Sequence, residues 1–143
     1  MDMKLGKGFT VIELVVAVTI VCLLVAVAVA SFQDHMIRKD RASARKALVE
    51  AAEWLRTQHA SSGTYQVKLP AGLTPGDAAY RIELLDQAVI ANDPKVEFPA
   101  TSAEIYSLRA VPRDDATCGS LLLDSAGRTG VTGADARVTD CWR

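Results

Sequence analysis

Charge is nearly missing from the first quarter of this chain. The 24 residues from Phe9 to Phe32 carry one formal charge, Glu13. Glycine and proline are absent over a longer stretch, with neither present from Phe9 to Ser62. That leaves no local signal to end a helix there. Histidine is equally scarce: His35 and His59 are the only two, and both fall within this stretch. With them go the usual catalytic sets. No Ser/His/Asp or Cys/His constellation, Gly-rich phosphate loop or cluster of metal ligands is visible. We therefore expect no catalytic residues, no metal, no cofactor and no enzyme.

What the run does contain is apolar length. As a helix, 24 residues span roughly 36 Å, enough to cross a bilayer. An ionised side chain at membrane depth costs about 2.5–3.5 kcal/mol even on the lenient scale, so Glu13 needs a partner. The chain has 143 residues, and what remains after the run suffices for one modest core. Charge is uneven beyond the run. Residues 33–59 carry six Lys/Arg and four Asp/Glu, whereas 60–143 carry eight against eleven. An acidic head does not favour direct nucleic-acid binding.

Cysteine divides by region. Cys22 lies within the apolar run and reads as a small hydrophobe. Cys118 and Cys141 form an even pair in the polar C-terminal part and fit no zinc spacing. In a small exported domain such a pair reads as a disulfide, worth roughly 3.5 kcal/mol on the chain-entropy model. The head then belongs in an oxidising compartment.

The N-terminus can be parsed in two ways. As an ordinary secretory signal, Lys4 and Lys7 make the basic region and cleavage follows "AVA", after Ala30. That leaves Glu13 without purpose, and the helical pattern continues through the cut. The other parse cuts between Gly8 and Phe9 and keeps the run. Here "KGFTVIE" resembles the leader of type IV prepilins: a short basic leader, Gly, Phe, and Glu at the fifth mature position. The resemblance implies cleavage after Gly8 and N-methylation of Phe9 by a prepilin peptidase. It also assigns subunit registration to Glu13. Cleavage would create an ammonium on Phe9, and Glu13 of one subunit could meet the amine of its neighbour, cancelling two costly charges together. The plainer alternative keeps Glu13 on its own helix, answering the local amine and the helix dipole.

Counting Lys and Arg beside the span would place the N-terminus outside, because Arg38, Lys39, Arg41, Arg45 and Lys46 outnumber Lys4 and Lys7. The Cys pair and the leader resemblance set the opposite orientation, which we adopt. Two positions depart from the family pattern. Its mid-helix Gly and its Pro at the outer end are replaced by Cys22 and Ala30.

Beyond the membrane, Ala44, Leu48, Ala51 and Leu55 recur at helical spacing. One helix is expected from about Phe9 to about His59, its Ala/Leu stripe lying on a sheet. The basic run at 38–46 is either a solvated face or one that meets anionic headgroups or acidic neighbours. "LPAGLTPGD" marks a loop, "AYRIELLD" and "EIYSLRAV" alternate as strands, and "CGSLLLD" is a third strand. "TGVTGADARVTDCW" reads as Gly-punctuated loop, and Asp114–Asp115 as a solvated turn. Trp142 is expected to pack over the disulfide. The fold class is α+β: a long N-terminal helix on a small antiparallel sheet with a disulfide-bounded C-terminal loop. The ending "C…LLLDSAGR…CW" resembles PilE-like minor pilins.

These parts give a leader at 1–8, a membrane and filament-core helix at 9–32, its amphipathic half at 33–60 and a head at 61–143. The resemblance implies a minor pilin, held in the inner membrane with its head in the periplasm and then built into a surface filament. Its partners would be other pilin subunits, the prepilin peptidase and the pilus assembly machinery. Two alternatives are a type II secretion pseudopilin and a periplasmic binding domain released after Ala30. N-terminal sequencing of the mature protein separates the parses: methylated Phe9 is expected, and Ser31 would mark the secretory signal.

Overall fold

The computed structural model describes residues 10–65, 68–73, 79–115 and 117–143, with the side chain of Ala30 left aside. The chain divides into two compact units, one ending at Met36 and the other comprising Ile37–Arg143. A single helix, α1 (Val11–Ser62, 52 residues), continues through the boundary. It ends three residues beyond the expected His59, where Gly63 takes a left-handed φ of 76° and donates its N–H to His59 O at 2.8 Å. Only glycine adopts that conformation without strain, so Gly63 stops the helix.

In the first unit the large aliphatic side chains are exposed on every side of α1, from Val11 to Phe32. Its most apolar window has a mean hydropathy of 3.0, long and apolar enough to cross a membrane. In the second unit α1 is amphipathic. Ala44, Leu48, Ala51, Ala52 and Leu55 are all buried, the expected stripe plus Ala52. Alternating Ala with Leu brings the helix backbone close to the sheet while the leucines fill the gaps.

That sheet has four antiparallel strands in sequence order: β1 (Tyr80–Leu84), β2 (Ser107–Pro112), β3 (Leu121–Asp124) and β4 (Thr129–Val131). Register places Ile82 opposite Ala110 and Leu108 opposite Leu123. Tyr80, Ile82, Leu108, Ala110, Leu121 and Leu123 pack with the α1 stripe in one core. β3 is buried on both faces, which explains its unbroken Leu-Leu-Leu. Leu122 points away from α1 and joins Leu85 and Val96 in a second small core, flanked by Val89, Ile90 and Phe98.

Three elements depart from the sequence expectation. A short helix, α2 (Gln87–Asn92), covers the second core, started by Asp86, whose side chain accepts from Val89 N–H at 2.7 Å. The supposed C-terminal loop contributes β4 and a last helical turn, α3 (Val138–Cys141). β4 escaped notice because its central residue is Gly130, a poor strand former. The glycine is required by packing: a Cβ there would lie 2.6 Å from the Phe98 ring. Leu48 is fully buried, so Leu48→Ala is expected to cost about 2–5 kcal/mol in urea unfolding of the detergent-held chain. Val49→Ala, at a half-exposed position, should stay within about 0.5 kcal/mol.

Candidate functional site

The N-terminal helix is the first candidate, because its apolar surface has no partner among the described residues of its own unit. Thr10 opens it: its hydroxyl oxygen receives the Glu13 N–H at 3.4 Å and its carbonyl that of Leu14 at 3.1 Å. Thr10 and Glu13 thus have capping-box spacing with one half of the box formed. Glu13 is exposed in the first turn, the favourable end of the helix dipole for an acid. Thr19 folds its hydroxyl back onto Val15 O at 2.8 Å, hiding its polar hydrogen from apolar surroundings. Cys22 is a free thiol on the same exposed surface. Gly8 and Phe9, the expected cleavage and methylation residues, lie outside the described residues.

The second candidate is the C-terminal loop of the head. Cys118 and Cys141 are joined as a disulfide across 23 positions, with Cα atoms 5.9 Å apart. Gly119 leaves the bond with φ +61°, and a Cβ there would lie 2.7 Å from Thr132 Oγ1. Trp142 packs on the main core and donates its indole N–H to Gly130 O at 3.1 Å, tying the loop to β4. Its role is packing, as expected of its position.

Asp115 corrects the sequence reading. Asp114 is exposed, but Asp115 is buried and is not a solvated turn residue. Arg41 of α1 donates to both its carboxylate oxygens, at 2.5 and 2.9 Å. The Tyr80 hydroxyl donates at 2.7 Å, and the backbone N–H groups of Thr117 and Cys118 donate at 3.1 and 3.3 Å. One carboxylate therefore joins α1, β1 and the entrance to the disulfide loop. Burial alone would raise its pKa, but the donors from Arg41 and Tyr80 outweigh it and hold the group down at about 2. Tyr80 is pushed up, first by burial and then by its bond to Asp115. The missed signal was spacing: an Asp two and three residues before Thr117 and Cys118 suits an Asx turn.

His59 serves packing as well, whereas His35 is exposed. His59 stacks on Tyr65 at 4.3 Å, and Tyr65 meets Tyr106 edge-on at 4.9 Å. Among the described residues, no three His, Cys, Asp or Glu side chains are grouped as metal ligands would be.

A helix apolar on all sides in its first half, an antiparallel four-stranded head and a disulfide-bounded C-terminus together define a recognisable architecture. The family described as "Type IV minor pilin ComP, DNA uptake sequence receptor" matches residues 30–122. The chain belongs to this family of minor pilins. A fimbrial protein of Pseudomonas aeruginosa is 27% identical over 120 residues, covering 84% of this chain and 75% of the relative. Two solved structures share the fold. A type IV pilin from Shewanella oneidensis has a TM-score of 0.50 at 23% identity, covering 74% of this chain and 97% of that one. The non-core minor pilin PilV of Neisseria meningitidis has a TM-score of 0.53 at 18% identity, covering 73% and 94%.

The pilin is thus a subunit of a type IV pilus, and its apolar helix makes it a membrane-anchored one. The family match removes the pseudopilin from first consideration. Assembly with other pilin subunits follows from the family. Asp115 gives the head a defined acid sensitivity. Because its pKa is depressed from 3.8 to about 2, its stabilisation is present above pH 3.8 and is lost as pH falls through about 2. Urea unfolding at pH 6 and pH 2 should show a larger drop in the native protein than in Asp115→Asn, which begins destabilised and has lost the titrating carboxylate.

Proposed function

We propose that this minor pilin is cut after Gly8 and methylated at Phe9 by a prepilin peptidase while its helix spans the inner membrane. The head faces the periplasm, where the disulfide can form. The pilus assembly machinery then extracts the subunit into a surface filament. Apolar helix packing supplies cohesion, and Glu13 supplies axial register by meeting the Phe9 amine of a neighbour. The observation that carries this proposal is α1 itself: from Val11 to Phe32 it exposes aliphatic side chains on every side and bears a lone carboxylate, Glu13. Such a surface is stable only in lipid or against like helices.

The family description favours a second statement, that the filament serves DNA uptake. We place this subunit in the filament rather than on the DNA, because Asp and Glu outnumber Lys and Arg by eleven to eight in residues 60–143. Motility and adhesion are the other outlets of such a filament.

Glu13→Val tests the registration role. The variant should still be processed at Gly8, shown by the mass of the membrane-held form, yet be missing from sheared filaments. Incorporation at the native level would contradict the role given to Glu13.

A further inference from the structure

Five Lys and Arg lie between Arg38 and Lys46, and α1 divides them. Arg38, Arg41 and Arg45 are spaced i, i+3, i+7 and so share one side of the helix, whereas Lys39 and Lys46 fall off it. Lys46 pairs with Glu50 at 3.6 Å. The arginine side faces the C-terminal segment across a cavity of about 430 Å³ lined by Arg38, Arg41, Arg45, Asp140, Cys141 and Arg143. The disulfide at Cys141 holds that segment in place.

The charges around the cavity do not cancel. Arg41 is answered by Asp115, and Asp140 by Arg137 at 3.7 Å. Arg38, Arg45 and Arg143 form no ion pair among the described residues. Three guanidinium groups thus border one solvent-open space beside a single carboxylate, Asp140, and an entering anion would reduce their mutual repulsion. Their planar forks suit phosphate oxygens better than a lysine's point charge does.

Sequence position says which phosphate is at hand. Arg38 follows the end of the apolar run at Phe32 by only six residues. Basic groups immediately beyond a membrane span attract anionic headgroups. We propose that this cavity binds the phosphate of an anionic phospholipid headgroup in the leaflet on the head's side of the membrane. It steadies the subunit before assembly, and extraction into a filament requires its release. Phosphatidylglycerol has the right chemistry: one phosphodiester charge without an opposing amine.

The proposal rests on the membrane anchorage proposed above and not on DNA uptake. The test uses full-length chain in nanodiscs of mixed phosphatidylglycerol and phosphatidylcholine, with bound lipids counted by native mass spectrometry after the disc is stripped. Wild type should retain phosphatidylglycerol with roughly tenfold preference, and Arg38→Gln/Arg45→Gln should abolish that preference. Lys39→Gln/Lys46→Gln, off the cavity, should keep it. Equal retention by the two double variants would overturn the site. So would loss of the preference in wild type on adding excess inorganic phosphate or a short DNA duplex, which would mark a free-anion or nucleic-acid site instead. Co-elution of chain and disc reports anchorage separately, so its failure is not confused with failure of the cavity.

Discussion

A helix with apolar side chains on all sides cannot settle in water, and α1 has that character from Val11 to Phe32. Among the described residues of its own unit nothing covers those side chains, so the surroundings must: lipid first, then neighbouring helices. Glu13 makes the demand specific. Hydrophobic packing alone is tolerant of sliding, whereas an acid that must find a cation has few acceptable positions. This is the sense in which one costly residue can define register, as buried polar residues do in coiled coils.

The head solves a different problem. A small domain has little apolar area to bury and gains from staples. Two are present, and they meet. The disulfide closes the C-terminal segment onto Cys118, and Asp115, three residues earlier, binds Arg41, Tyr80 and the loop backbone. Removing either partner of the Arg41–Asp115 pair would leave a buried charge unanswered, a larger loss than the pair's own worth. Arg41 spent on Asp115 also changes the surface: it turns a continuous basic run into a smaller set of free arginines grouped at one cavity.

Much of this was legible in the residues, for physical reasons that differ by element. The long helix was readable because no Gly or Pro interrupts it, and the stripe from Ala44 to Leu55 because burial against a sheet enforces helical spacing. β1 and β2 announced themselves by alternation, having one core face each. β4 and α2 did not. β4 is three residues long around a glycine whose lack of a side chain makes room for Phe98, and α2 follows a strand with only Asp86 as signal. Asp115 was misread because a carboxylate beside another looks solvated; its partner Arg41 lies 74 positions away. Local pattern carries no trace of such a contact.

The central claim is that the Glu13 carboxylate is neutralised by an amine from an adjoining subunit. The most direct measurement is a filament reconstruction sharp enough to resolve both groups. The account predicts Glu13 within about 4 Å of the neighbouring Phe9 nitrogen, the reach of an ion pair. A carboxylate left with no cation beside it, or paired only with the amine of its own chain, would contradict it.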